Sequence, residues 1–101
     1  MSESLRSSEP FFVAETLFED DEKSIALIRL RGLNARFISR SATTYEVVCG
    51  SGTMEVDGTF HDLHEGVVVH VPAHTPYQDE GELLMRATSV PPFDPASVAY
   101  I

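Results

Sequence analysis

Apolar and polar residues alternate along most of this chain in short runs, which is the period of half-buried β-strands. In Ser24–Arg31 (SIALIRLR) one face holds Ala26, Ile28 and Leu30 and is wholly apolar, and the opposite face is nearly so. Val67–Val71 is a short apolar run suited to a buried strand. Both runs therefore predict strands of a packed sheet rather than helices.

The strongest turn signal is Asp57-Gly58, because both central positions of a type I′ hairpin turn need positive φ. A two-residue turn at this point sets Met54 opposite His61. His61 then shares a face with Leu63, and we expect that face to point inward.

Similar runs and turns continue from residue 11 to the C-terminus. The predicted strands are Phe11–Phe18, Ser24–Arg31, Ala35–Arg40, Thr43–Cys49, Thr53–Val56, Thr59–Leu63, Val67–Val71 and Leu83–Val90, with an extended stretch that resumes at Tyr77. Gly50 and Gly52 are expected to interrupt the strand that begins at Thr43, and Asp94-Pro95 is suited to cap a final helical turn through Val98. Short strands with regular turn signals predict an all-β sandwich or barrel.

The charge balance narrows the classes of partner. The 101 residues include 16 acidic and 7 basic ones, which gives a formal net charge of −9. Nucleic acids and anionic membranes are recognised by basic patches, so we expect neither as a partner. The acidic run Glu19–Glu22 is predicted to form a solvated turn. A chain of this length predicts one domain, residues 11–101, after a flexible tail over residues 1–10.

The compartment is predicted from cysteine usage and from the first residues. Cys49 is alone, so it cannot form an internal disulfide, and we expect it to be a small buried apolar residue. The opening MSESLRSSEP lacks the apolar stretch of a secretory signal, and no apolar run approaches the roughly 20 residues that span a bilayer. We therefore predict a cytoplasmic protein.

The segment Gly66–Gly81 resembles the second sequence motif of the cupins. Gly66 and Pro72 stand at the positions of that motif's first glycine and proline, and Tyr77 stands at the position of its histidine. Gly50 fits the glycine that ends the first motif, which puts Thr43 where the family has a glutamate. The resemblance covers about Ser24 to Pro95 and implies a cupin-type jelly-roll barrel, usually dimeric.

The cupin metal ligands are replaced at every position that the resemblance aligns. The His-x-His pair falls on Phe37 and Ser39, or on Ile38 and Arg40 in the other register, while Thr43 and Tyr77 occupy the remaining two positions. We therefore predict no metal and no cofactor. His61, His64, His70 and His74 could rebuild a metal site elsewhere, and His61 with His70 is the pair to examine.

The resemblance also implies which side chains enter the barrel. If Thr43 keeps the inward direction of the family's glutamate, Tyr45, Val47 and Cys49 follow it inward by alternation, while Glu46 faces outward. Tyr77 is expected to enter from the opposite side. Arg36 or Arg40, according to register, is expected to reach the mouth, where a guanidinium could bind a carboxylate or a phenol.

Three functions stay open at this level. The first is binding of a small organic molecule inside the barrel without metal, with Arg36, Arg40, Thr43, Tyr45, His61, His70 and Tyr77 as candidate contacts. The second is a metal-dependent isomerase, dioxygenase or lyase with relocated histidine ligands. The third is a structural homodimer that associates through Phe11–Phe18 and whose barrel is filled by its own side chains.

Overall fold

The computed structural model describes residues 11–100, which fold into an all-β domain. The strands are β1 (Phe11–Glu19), β2 (Ser24–Leu33), β3 (Phe37–Ile38), β4 (Ala42–Val56), β5 (Thr59–His64), β6 (Val68–Val71), β7 (Tyr77–Val90) and β8 (Ala99–Tyr100). This result confirms the predicted fold class. The tail expected over residues 1–10 lies outside the described residues. Within residues 11–100, no helix is long and apolar enough to cross a membrane.

Strand β7 is the centre of the sheet. It pairs antiparallel with β2 along one edge and with the whole of β4 along the other. The outer edge of β2 carries β1, and the outer edge of β4 carries β5 along its second half and β6 along its first half. Strand β3 pairs with Tyr77 at the start of β7 and with β8.

The sheet curls, as the two tyrosines at its centre demonstrate. Tyr45 pairs with Ala87, whereas Tyr77 pairs with Val56, eleven positions further along β4. In a straight strand these positions would lie roughly 35 Å apart. The hydroxyl oxygens of Tyr45 and Tyr77 are nevertheless 2.6 Å apart. Strands β4 and β7 must therefore bend back over the interior, as in a barrel.

Glycines let the backbones of β4 and β7 approach closely near the middle of their pairing. A Cβ on Gly52 would lie 2.1 Å from the Glu80 carbonyl oxygen, and one on Gly81 would lie 2.4 Å from that of Ser51. Gly81 also has a φ of +139°, which L side chains rarely adopt. The expectation that Gly50 and Gly52 interrupt the strand is wrong, because β4 runs from Ala42 to Val56 and both glycines stay paired with β7.

A β-bulge at Val48 changes which residues of β4 face inward. The register with β7 shifts between Val47 and Cys49, so one extra residue is inserted and the side-chain alternation reverses. Thr43, Tyr45 and Val47 are buried as expected, but Cys49 is exposed. The prediction that Cys49 is inward and buried is therefore wrong.

Local turns follow the sequence signals. In the acidic run, Asp20 Oδ1 accepts hydrogen bonds from the backbone N–H groups of Glu22 and Lys23, which confirms a solvated turn and lowers the pKa of Asp20. The Asp57-Gly58 hairpin sets Met54 opposite His61 as predicted. Asp94 caps a single 3₁₀ turn, Pro95–Ser97, through a bond from the Ala96 N–H.

Strand β1 is exposed along its entire length, although it carries apolar residues on both faces. Phe11, Phe12, Val13, Leu17 and Phe18 each leave about half of their surface in solvent. This is the strand through which we predict a homodimer, and the dimer stays a prediction.

Candidate functional site

A cavity of about 460 Å³ opens into the curled sheet. Its inner wall is formed by Thr43 and Tyr45 of β4 and by Tyr77, Ala87 and Ser89 of β7. Its outer wall includes Phe12 of β1 and, from the C-terminal segment, Phe93 and Tyr100. A cavity of this volume lies in the range that small-molecule sites occupy, roughly 300 to 1,000 Å³.

Two tyrosines meet at the inner end of this cavity. Tyr45 and Tyr77 are only 5% and 3% exposed, and their hydroxyl oxygens lie 2.6 Å apart, which is a short hydrogen bond. Phe37 packs edge-on against the Tyr77 ring, with 4.6 Å between ring centroids. Both rings are thus fixed by aromatic packing as well as by the shared hydroxyl contact.

A second hydroxyl pair lies beside the first. Thr43 and Ser89 are direct register partners on β4 and β7, and their side-chain oxygens are 2.9 Å apart. Both side chains are buried. The cavity wall thus presents two pairs of neutral hydroxyl groups, each pair bridging the same two strands.

Burial determines the ionisation of the phenols. Desolvation raises the pKa of Tyr45 well above its ordinary value, and it raises the pKa of Tyr77 as well. Both phenols are therefore protonated at neutral pH. They can donate and accept hydrogen bonds, but neither is available as a general base.

A buried polar pair lies next to Tyr77. Asn34 lines the cavity just after the end of β2, and its Nδ2 donates to Oδ1 of Asp79 across 3.0 Å. Asp79 is 3% exposed and is the register partner of Met54. Desolvation raises the pKa of the Asp79 carboxyl, and the hydrogen bond from Asn34 opposes that shift.

The structure brings Thr43, Tyr45 and Tyr77 together but leaves the two candidate arginines elsewhere. Arg36 Nη1 lies 2.5 Å from Oε1 of Glu55, and Arg40 Nη2 lies 3.9 Å from Oδ2 of Asp94. Neither arginine lines the cavity. Among the described residues that line the cavity, Glu19, at the exposed end of β1, is the only charged one.

The two candidate histidines lie on different parts of β4's outer edge. His61 shares the face of Leu63, as predicted, but is only half-buried. His70 is exposed, and its Nδ1 contacts Oγ1 of Thr44 on the outward side of β4. The two are not cross-strand partners, because β5 and β6 pair with separate halves of β4.

The side chains at the cupin ligand positions do not fit a divalent metal. The hydroxyls of Thr43 and Tyr77 are hydrogen-bonded to Ser89 and Tyr45, and burial keeps the phenol protonated. Metal ligands must offer a deprotonated or otherwise free donor. In the part of the chain that the structure describes, no three His, Cys, Asp or Glu side chains converge on a common point.

Sequence reasoning missed Asn34, Asp79 and Ser89. Ser89 could have been found, because it continues the inward alternation of Leu83, Met85 and Ala87 on β7. Asn34 lies between two predicted strands, and no local signal pairs it with Asp79, which lies 45 positions away.

Comparisons with known proteins agree on the architecture. A variant of Streptomyces PAC13 solved with uridine matches with a TM-score of 0.82 at 20% identity, covering 95% of this chain and 86% of that one. Pac13, described as a nucleoside dehydratase, matches with a TM-score of 0.77 at 19% identity, covering 87% and 84%. No protein-family model matches the sequence, and no curated protein does.

A larger enzyme contains the same arrangement of strands. Salicylate 1,2-dioxygenase from Pseudoaminobacter salicylatoxidans, as its gentisate adduct, matches with a TM-score of 0.74 at 18% identity, covering 80% of this chain and 25% of that one. The curled eight-stranded sheet and these structural neighbours show that the described residues have the cupin fold.

Proposed function

We propose that this protein binds an uncharged small molecule of nucleoside size inside its barrel, without a metal. The observation that carries the proposal is the Tyr45–Tyr77 hydroxyl pair at the inner end of a cavity of about 460 Å³. Buried polar groups in an otherwise largely apolar cavity are the usual means of orienting a ligand.

The hydroxyl pairs leave hydrogen-bonding capacity for a ligand. Within each pair one O–H donates to the other oxygen, so one hydrogen and several lone pairs are unused. A ligand with hydroxyl or carbonyl groups can bind to both pairs. Because the groups are neutral, no charged partner is required.

The distribution of charge argues against an anionic ligand. Arg36 and Arg40 are engaged by Glu55 and Asp94, and Glu19 is the charged residue in the cavity lining. The formal net charge of −9 would also repel an anion as it approaches. The ligand class that we propose is therefore neutral and is not bound by an arginine, in place of the arginine-bound carboxylate or phenol expected from the sequence.

The structural neighbours support the size and chemistry of this ligand class. Streptomyces PAC13 was solved with uridine, including as two tyrosine-to-phenylalanine variants. Uridine combines a flat ring with neutral hydroxyl and carbonyl groups. The cavity of this chain offers aromatic faces at Phe37 and Tyr77 beside neutral hydroxyls, which suits the same combination.

The test is calorimetric titration of the purified protein with uridine, before and after dialysis against EDTA. We expect binding that is unchanged by the chelator and that weakens about tenfold in Tyr77→Phe, since one ligand hydrogen bond contributes on the order of 1 kcal/mol. Phe60→Leu, at an exposed position of β5, is the matched control and should bind like the wild type. Failure of the wild-type protein to bind uridine, or binding that the chelator abolishes, contradicts the proposal.

A further inference from the structure

Hydrogen bonds hold the backbone of Asn34, a residue that lines the cavity, on both its N–H and its carbonyl side. Its backbone N–H donates to the Asp79 carbonyl across 2.9 Å, and its own carbonyl accepts from Gln78 Nε2 across 2.9 Å. Both bonds connect the end of β2 to the start of β7. The backbone of Asn34 is therefore fixed relative to Tyr77, one residue before Gln78.

The orientation of the Asn34 amide is fixed as well. Oδ1 accepts from the Ala35 N–H across 2.9 Å, and Nδ2 donates to Asp79 Oδ1 across 3.0 Å. Reversing the amide would place N–H against N–H on one side and oxygen against oxygen on the other. An amide nitrogen carries two hydrogens, so one Nδ2–H is left without a described protein acceptor.

The Asp79 carboxyl holds the Nδ2 group of Asn34 in place by accepting a hydrogen bond from it. This carboxyl is buried, and no ion pair within residues 11–100 includes it. A buried carboxyl with no cationic partner destabilises a fold unless it is hydrogen-bonded. The bond from Asn34 meets that requirement and gives the carboxyl a positioning role.

We infer that Asn34 determines specificity, with its remaining amide N–H donating to a carbonyl oxygen on the ring of the bound molecule, and that Asp79 positions it. This inference rests on the proposed function. Each paired hydroxyl in the cavity can donate or accept a hydrogen bond, so it can bind either a donor or an acceptor of the ligand. These hydroxyls belong to Tyr45, Tyr77, Thr43 and Ser89. The free Asn34 N–H can only donate, so it discriminates between a carbonyl and a group without an acceptor.

The experiment compares two probes, uridine and 1-β-D-ribofuranosylbenzene, which keeps the sugar and a flat ring but has no carbonyl. The wild-type protein should bind uridine more tightly by about tenfold, the contribution of one good hydrogen bond. In Asn34→Ala the preference should disappear, because uridine loses affinity and the phenyl analogue does not. A ratio of affinities is insensitive to partial loss of folded protein.

The positioning role is tested on Asp79. Asp79→Asn retains an Oδ1 acceptor for Asn34 and should keep the uridine preference, whereas Asp79→Leu removes the acceptor and should lose it. If Asn34→Ala and Asp79→Leu both fail to fold, NMR of ¹⁵N-labelled wild-type protein replaces them. The measurement follows the side-chain amide of Asn34. Its two proton signals should differ, and uridine, but not the phenyl analogue, should shift the one that is not bonded to Asp79.

The outcomes separate the two proposals. A wild-type protein that binds neither probe overturns the proposed function and this inference with it. Binding of both probes with equal affinity, or a uridine preference that survives in Asn34→Ala, overturns only the role of Asn34. A uridine preference that survives in Asp79→Leu overturns the positioning role of Asp79.

Discussion

The barrel interior has a packed part and an open part, and the same two strands build both. On β7 the inward positions Leu83 and Met85 carry long side chains, and Met85 has no exposed surface. The next inward positions are Ala87 and Ser89, which border the cavity. Backbone pairing with β4 continues through all four positions. Side-chain volume at alternate positions, rather than any change of fold, therefore separates a filled core from a binding cavity.

The two parts also differ in polarity. Met54, Met85, Leu63 and Leu83 are buried apolar side chains of the core and carry no nitrogen or oxygen that needs a hydrogen-bond partner. The open part has buried hydroxyls that satisfy one another in pairs. The packed part supplies stability, and the open part accommodates polar groups without a large energetic penalty because each one has a partner.

The largest effect is expected in the packed part, where Met85→Ala should lower the free energy of unfolding by about 2–5 kcal/mol, the range for truncation of a buried methionine. Urea denaturation measures it, with Leu33→Ala at a 61% exposed position as the matched control. Uridine affinity of the folded variant should change little. A loss below that of the exposed control would mean that the Met54–Met85 cluster is not the stabilising core.

The tyrosine pair should show a smaller and strongly non-additive effect. Tyr77→Phe leaves the buried Tyr45 hydroxyl without its partner and should cost about 1–3 kcal/mol of stability. The double variant Tyr45→Phe/Tyr77→Phe removes both groups and should be closer to the wild type than the single variant is. A double-mutant cycle by urea denaturation measures the coupling. Additive losses would show that the two hydroxyls do not depend on each other.

The sequence predicted the inward side of β4 up to Val47, because a period of two is enough to assign faces once one residue is placed. It also predicted the register of the Asp57-Gly58 hairpin, since a two-residue turn fixes which residues are opposite. Both successes concern contacts that are local along the chain or regular in period.

The failures arise where geometry is not local. The bulge at Val48 reverses the alternation and exposes Cys49, yet nothing in the run Tyr45–Gly50 marks an extra residue. The Arg36–Glu55 contact joins residues 19 positions apart. The Asn34–Asp79 contact joins residues 45 positions apart and continues the β2–β7 pairing one step beyond Leu33 and Glu80. Neither pairing is marked by the local sequence. The cavity likewise depends on Ala87 and Ser89 facing Tyr45 and Thr43 across two strands.

A larger side chain that fills the open part tests whether side-chain volume alone separates the cavity from the packed core. Ala87→Leu places a larger side chain in the cavity, where unoccupied volume can accept it, so stability should change by less than about 1 kcal/mol. Uridine should no longer bind. Ala35→Leu, at an exposed position outside the cavity, is the matched control for added apolar surface. A destabilised Ala87→Leu variant would show that this wall is already closely packed.

Asp79 lies where the two parts meet, since it is the partner of Met54 on one side and holds Asn34 on the other. Burial raises the pKa of its carboxyl above the ordinary value of 3.8, so the folded protein retains this proton more tightly than the unfolded chain does. The contribution of Asp79 to the free energy of unfolding is therefore greatest below pH 3.8, and it decreases as pH rises through the pKa of Asp79 in the folded protein.

Asp79→Asn removes that titration while keeping an acceptor for Asn34. Asp20, whose pKa is lowered by its backbone hydrogen bonds, is present in both proteins, so its contribution cancels in the difference. Urea denaturation of both proteins, from below pH 3.8 to neutral pH, should show the variant gaining stability relative to the wild type as pH rises. If the difference in free energy of unfolding between the two proteins does not change with pH, Asp79 is hydrated and belongs to the open part. If the variant instead loses stability relative to the wild type as pH rises, the ionised form of Asp79 stabilises the fold.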